Sequence, residues 1–253
     1  LGSGRLFSSS YTPSSGWGAA TLIAAGAAES RLYYASVAVS PVSRGALVAW
    51  SRVSNLTSAY SMFGATYSPT GGWSAPVPLS TSPVTQRVLP RAAVDDVGLL
   101  HAAYYDGGSG VPTLYDRAVL ANGSWGPPVV LNGAQPVQDA WLVGSERGGM
   151  VALWIEPDGL RNVVRARRYL ASDGWGTAVA VAPDAYGNAT AVVGGADADG
   201  NVLVGWREMV QGHLGAFVAV LQESLPPSLV LSGPADGSRL NASSTAVTGR
   251  TEP

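Results

Sequence analysis

Four tryptophans, each placed just after a small-residue turn, recur at near-even spacing, and this repeat limits what the chain can fold into more than any other feature. They are Trp17 in "YTPSSGWGAATLI", Trp73 in "YSPTGGWSAPVPLS", Trp125 in "VLANGSWGPPVVL" and Trp175 in "YLASDGWGTAVAV", separated by 56, 52 and 50 residues. A second series lies between them: "GALVAWS" with Trp50, "GLLHAAYY" with Tyr104, "GMVALWIE" with Trp154 and "GNVLVGWRE" with Trp206. Seven of the eight tryptophans fall into these two slots. A period of this length marks one supersecondary unit copied along the chain, whose apolar faces are buried only by stacking on its neighbours.

Each unit reads as four short strands. In the third, these are "WLVGS" (141–145), "MVALWIE" (150–156), "VVRARRYL" (163–170) and "WGTAVAV" (175–181), separated by "ERGG", "PDGL" and "ASDG". The first two strands are apolar on both faces, as central buried strands are; the third alternates. Four-stranded units of about 40–50 residues with recurring aromatics point to the blades of a propeller. The expected fold is all-β: a small β-propeller of four-stranded blades over residues 1–225, with a short β tail over 226–253. Tyr67 closes strand three of its unit and Trp73 opens strand four. The indole is expected to pack across the neighbouring blade or its own hairpin, because large aromatics supply much of the contact area between twisted sheets. Trp17 has strand-three and strand-four sequence around it. Trp206 has strands one to three and no tryptophan about 21 residues later, where Pro227 stands. Three full units and two partial ones therefore give four or five blades, with ring closure left open because both ends supply a strand three.

After Leu225 the rhythm breaks. "PPSLVLSGPADGSRLNASSTAVTGRTEP" opens with a Pro-Pro linker signal and then reads strand, turn, strand. Pro234, Asp236, Gly237, Leu240, Val247 and Gly249 resemble the opening of the Ig-like domains found in tandem on exported bacterial and archaeal proteins. That resemblance implies the start of a sandwich of about seven strands, and hence a longer multidomain polypeptide. The repeat portion resembles the diverse propellers of secreted microbial proteins, sialidase-like and lectin-like groups among them.

Composition narrows the function classes. Only 13% of residues are charged, the net charge is −2 and every basic residue is Arg, so no basic field is present to attract nucleic acid or an anionic membrane. Cysteine is absent, which removes disulfides, thiolate catalysis and Cys-ligated zinc. No apolar run approaches the roughly 18 residues that span a bilayer, and "LGSGRLFSSS" has neither the basic start nor the apolar centre of a signal peptide. Secretion would therefore rest on a signal upstream. Asn55, Asn122, Asn188 and Asn241 head Asn-X-Ser/Thr triplets, which are glycosylation acceptors in a secreted chain and also arise by chance in Ser-rich sequence.

The catalytic constellations are sparse. A sialidase-like site needs an arginine triad drawn from different blades, and Asp-box turns of the S-x-D-x-G-x-x-W kind usually accompany it. Here Arg161, Arg165, Arg167 and Arg168 crowd one strand and its turn, where they read as a solvated face, and "ASDGWG" (171–176) has the wrong spacing. Asp197, Asp199 and Asn201 in "GADADGN" alternate in a Gly turn and offer hard oxygen ligands for Ca²⁺, although Asp and Gly are also ordinary turn residues. With two histidines a His₃ metal site is impossible. His101 takes the slot of Leu47, Val151 and Leu203 and reads as a buried, hydrogen-bonded histidine; His213 lies in a hairpin turn. No catalytic residue or cofactor is assigned. The expected function is a non-catalytic extracellular recognition or structural module that binds a protein or glycan at the cell surface. The competing expectation is a glycoside hydrolase or lyase, or an accessory domain of a secreted hydrolase. It would draw on Asp95, Asp96, Asp106, Glu146, Glu156 and Glu208, two of which would have to lie about 5–10 Å apart in one pocket.

Overall fold

A computed structural model describes residues 4–27, 29–86, 88–108, 110–145, 148–181, 187–210 and 212–222, and the backbone of 229–233 and 248–251. Every regular element among them is a strand. The chain divides into two compact units, residues 1–221 and 222–253.

The first unit begins with a half-sheet. Strands β1 (Arg5–Ser8) and β4 (Thr21–Ala25) pair antiparallel, and β2 (Tyr11–Thr12) pairs with β3 (Gly16–Trp17). Sheet I follows, with β5 (Ser30–Val39), β6 (Ala46–Ser54), β7 (Tyr60–Ser68), β8 (Gly72–Trp73) and β9 (Val77–Pro78). Sheet II contains β10 (Arg91–Val94), β11 (Leu100–Asp106), β12 (Thr113–Val119) and β13 (Val129–Val130). Sheet III contains β14 (Asp139–Ser145), β15 (Gly149–Asp158), β16 (Arg161–Leu170), β17 (Gly174–Trp175) and β18 (Val179–Ala180). Sheet IV has three strands, β19 (Asn188–Ala196), β20 (Val202–Val210) and β21 (His213–Leu221).

Within each full sheet the strands pair in sequence order, so each blade is a meander. The first strands β5, β10, β14 and β19 adjoin one another in turn, and each sheet packs face-on against the next. This is the propeller arrangement the repeat leads one to expect. Strand four is broken in two in sheets I and III. Just past its tryptophan, Gly176 N–H bonds Arg168 C=O at 2.8 Å and Ser74 N–H bonds Thr66 C=O at 2.8 Å, after which the ladder resumes at β18 and β9. The turn before each tryptophan needs a left-handed residue, and Gly16, Gly72, Gly123 and Gly174 supply it with φ of 72°, 73°, 81° and 76°.

The core lies between the sheets. β11 is buried at every residue, and β15 at eight of its ten, as the apolar-on-both-faces reading requires. β20 departs from it. Its residues alternate buried and exposed, because sheet III covers one face and no described element covers the other. The half-sheet packs through Leu6, Ile23 and Ala24 against Val48 and Trp50 of sheet I. It therefore occupies the position of strands three and four of a preceding blade. No described strand of sheet IV pairs with it.

Three of the four turn-following indoles lie across the sheet before their own, at one equivalent position. Trp73 donates its indole N–H to Ser8 at 2.7 Å, and Trp175 donates to Asp116 at 3.0 Å. Trp125 lies on Gly64 so closely that a Cβ there would sit 2.8 Å from its ring. Ser8, Gly64 and Asp116 each precede the hairpin's Tyr11, Tyr67 or Val119 by three residues.

In the second unit, β22 (Leu229–Gly233) pairs antiparallel with β23 (Thr248–Thr251). Gly249 lies in β23. Pro227, Pro234, Asp236, Gly237, Leu240, Asn241 and Val247 lie outside the described residues, as does Glu146 of the first unit.

Candidate functional site

A groove of about 660 Å³ opens between the turn ends of sheets I and II. Its origin lies in the repeat. Three hairpins pair a tyrosine with the tryptophan opposite, as Tyr11–Trp17, Tyr67–Trp73 and Tyr169–Trp175. In sheet II that slot holds Val119, bridged to Trp125. Tyr169 shows what the missing ring would do, since it lies against the preceding sheet, 4.9 Å from the ring of His101. Valine cannot reach that far, and the gap remains open. The groove is lined by Tyr67 and Trp73 on one side and by Val97, Leu120 and Asn122 on the other, with Ser68 at its mouth. It contains aromatic, aliphatic, hydroxyl and amide groups and no acidic or basic side chain. Its volume is within the usual range of small-ligand sites.

The described acids among those named above, Asp95, Asp96, Asp106, Glu156 and Glu208, are placed elsewhere, and each is occupied. Asp106 accepts from Thr81 N–H and Oγ1, Ser82 N–H and Gly108 N–H, and so ties the linker from sheet I to the end of β11. Glu156 accepts the indole N–H of Trp154 at 2.7 Å and an N–H of Arg165 at 3.1 Å. Glu208 repeats the device one sheet later, accepting from Trp206 at 2.9 Å and from Gly187 N–H. Asp96 accepts from Ala171 N–H at 3.4 Å. A smaller groove of about 300 Å³ has one carboxylate, Glu29, and one guanidinium, Arg52, in its lining. Neither groove contains a carboxylate pair.

His101 is buried, as its slot implied, and it stands between two buried carboxylates. Nδ1 is 2.9 Å from Asp116 and Nε2 is 3.5 Å from Asp95. Burial alone would lower its pKa. The hydrogen bonds and attraction of Asp116 and Asp95 outweigh that and push it up to about 9, so the ring is cationic at neutral pH. Asp95 also accepts from Val97 and Leu99 N–H, and Asp116 from Trp175. The cluster joins sheets II and III and is sealed beneath Tyr169. The sequence reading missed Asp116. Its signal was an acid at the repeat position held by Gly64, Ala166 and Val218.

Asp197 closes its own turn, accepting from Asp199 and Asn201 N–H and from the Asn201 amide. Among the described residues no three His, Asp or Glu side chains are grouped to hold a metal ion. Asn55, Asn122 and Asn188 are exposed. His213 is exposed at the start of β21. The arginines of β16 are more engaged than a solvated face implies. Arg167 reaches the carbonyls of Val130 and Leu131 in sheet II, Arg168 that of Gly200 before β20, and Arg165 pairs with Glu156 and Asp158. Arg167 and Arg168 join neighbouring sheets, Arg165 braces its own, and the three do not converge on one point.

No family model matches the chain, and no curated protein matches it. Among solved structures it is similar to the Hadza microbial sialidase Hz136, at 15% identity and a TM-score of 0.43, over 76% of this chain and 44% of that one. It is also similar to the periplasmic gluconolactonase PpgL of Pseudomonas aeruginosa, at 16% identity and a TM-score of 0.39, over 92% of this chain and 73% of that one. The chain thus spans less than half the length of the sialidase. By its own stacked antiparallel sheets it is an all-β protein of propeller type.

Proposed function

We propose that the first unit is a non-catalytic recognition module whose groove between sheets I and II binds a neutral glycan. One observation supports this above the others: the groove is lined by Tyr67 and Trp73 together with hydroxyl and amide groups and by no charged side chain, while Asp95, Asp106, Asp116, Glu156 and Glu208 are committed to loops, indoles and His101. Sugars stack their apolar C–H faces on aromatic rings and direct hydroxyls to such polar groups, and neither contact requires a charge. The module is read as extracellular and as one part of a longer polypeptide. Its 222–253 unit is read as the opening of an Ig-like domain, consistent with the pairing of β22 and β23.

The test is a screen of neutral oligosaccharides against the full chain, followed by calorimetry with the best binder. Val119→Tyr restores the residue the other hairpins carry and fills the groove, so binding is expected to be lost without loss of stability. Tyr67→Ala removes an aromatic residue from the lining and is expected to weaken binding about tenfold or more. Undiminished binding by Val119→Tyr, or turnover of a glycoside by the wild-type protein, would overturn the reading.

A further inference from the structure

The three seated indoles leave one tryptophan, Trp17, and one exposed seat, Val218, at opposite ends of the array; the equivalent Ala166 of sheet III receives no indole and is buried in the core between sheets III and IV. Trp17 is 72% exposed. Its hairpin is already in the seated geometry: Tyr11 and Trp17 have ring centroids 5.5 Å apart at 59°, against 5.5 Å and 55° for Tyr67–Trp73 and 5.3 Å and 57° for Tyr169–Trp175. Around it the outer face of the half-sheet exposes Phe7 and Leu22, which are paired across the strands at 49% and 50% exposure. In sheets I, II and IV the residue in Phe7's place stacks on a strand-two aromatic, as Phe63 does on Trp50 and Phe217 on Trp206. Phe7 has no such neighbour among the described residues.

At the other end, the position equivalent to Ser8, Gly64 and Asp116 in sheet IV is Val218, opposite Gly205, and it is 72% exposed. It lies within an open apolar sheet face. Val193, Leu203, Met209, Leu214 and Val220 share this face, at 51%, 54%, 41%, 54% and 56% exposure, and Arg207 is its one charge among the described residues. The stack is directional. Every sheet turns its Trp50-type face to the sheet before it and the opposite face to the sheet after it, so the two open ends are complementary and not alike. Exposed apolar faces of this kind mark association surfaces.

We propose that the outer face of sheet IV receives the half-sheet of a second copy of this chain, with the second copy's Trp17 seated on Val218. The contact repeats the indole seat that the molecule already uses three times internally. It is heterologous, so copies add head to tail until a ring closes or a filament grows. Arg207 lies on the same face, where it can lie over an incoming ring as Arg91 lies over Trp141 at 3.8 Å.

The full 253-residue chain is examined by sedimentation over a range of concentrations, with the folded state of each variant checked by circular dichroism. Wild type is expected to associate as concentration rises, with protection of one further indole from aqueous quencher. Trp17→Ala should weaken association at least about thirtyfold, as removal of a central tryptophan does. The Leu203→Lys/Val218→Lys double variant should abolish it. All three positions are exposed, so each variant should keep the wild-type fold. Mixing the two variants is decisive. One copy retains the seat and the other retains the indole, so the mixture should give a one-to-one dimer that grows no further. A wild type that stays monomeric at all concentrations overturns the proposal, whether Trp17 is then exposed or covered within its own chain. So does a mixture of variants that fails to pair.

Discussion

At the scale of single residues, the clearest energetic feature is His101 between Asp95 and Asp116. A buried ion cluster is not in itself a large source of stability, but removing one partner leaves uncompensated buried charge. His101→Leu, which installs the residue found at Leu47 and Leu203, should therefore cost about 3–5 kcal/mol, not gain from added apolar surface. The triple variant with Asp95→Asn and Asp116→Asn should recover much of that loss. The pH dependence has a definite sign. The folded-state pKa, about 9, is above the ordinary 6.5, so the contribution is complete below pH 6.5 and is lost as pH rises towards 9. Urea midpoints measured across that window should fall for the wild type and stay nearly flat for the triple variant. A flat wild-type profile would show that the ring is neutral when folded.

At the scale of the element, the hairpin with its indole is the unit that joins one sheet to the next. Gly64 shows how tightly it fits, because Trp125 lies where a side chain would begin. Gly64→Val should displace that ring and cost about 1–3 kcal/mol as overpacking, measured as a lowered urea midpoint. The same change at Gly133, whose Cβ would meet nothing within 4 Å, provides the control. Much of this element was legible in the sequence. The turn glycines, the paired Tyr and Trp and the strand boundaries of the third unit all follow from periodicity and turn chemistry. The direction of indole packing was not legible, since a period says that a side chain recurs and not which neighbour it meets. The groove was hidden for a similar reason. It arises from the absence of a ring at Val119, which becomes visible only when the hairpins are superposed in space.

At the scale of the whole molecule, the repeat gave the fold class because alternating burial and glycine turns leave few other arrangements. The roles of the acids could not be read in the same way. Glu156 and Glu208 are two residues beyond their tryptophans and look like free carboxylates in the sequence, yet each bonds the indole of its own strand. The central claim is that one β module is stacked in a fixed direction, with an indole from each of sheets I, II and III seated on the sheet before it. The most direct measurement is the unfolding free energy of four Trp→Ala variants, at Trp17, Trp73, Trp125 and Trp175, each in the Leu203→Lys/Val218→Lys background that keeps the chain monomeric. Loss of Trp73, Trp125 or Trp175 should cost at least about 2 kcal/mol, and loss of Trp17, whose seat is empty in the monomer, less than about 0.5 kcal/mol. Equal costs at all four positions, or a Trp17 variant as damaged as the others, would contradict the directional stack.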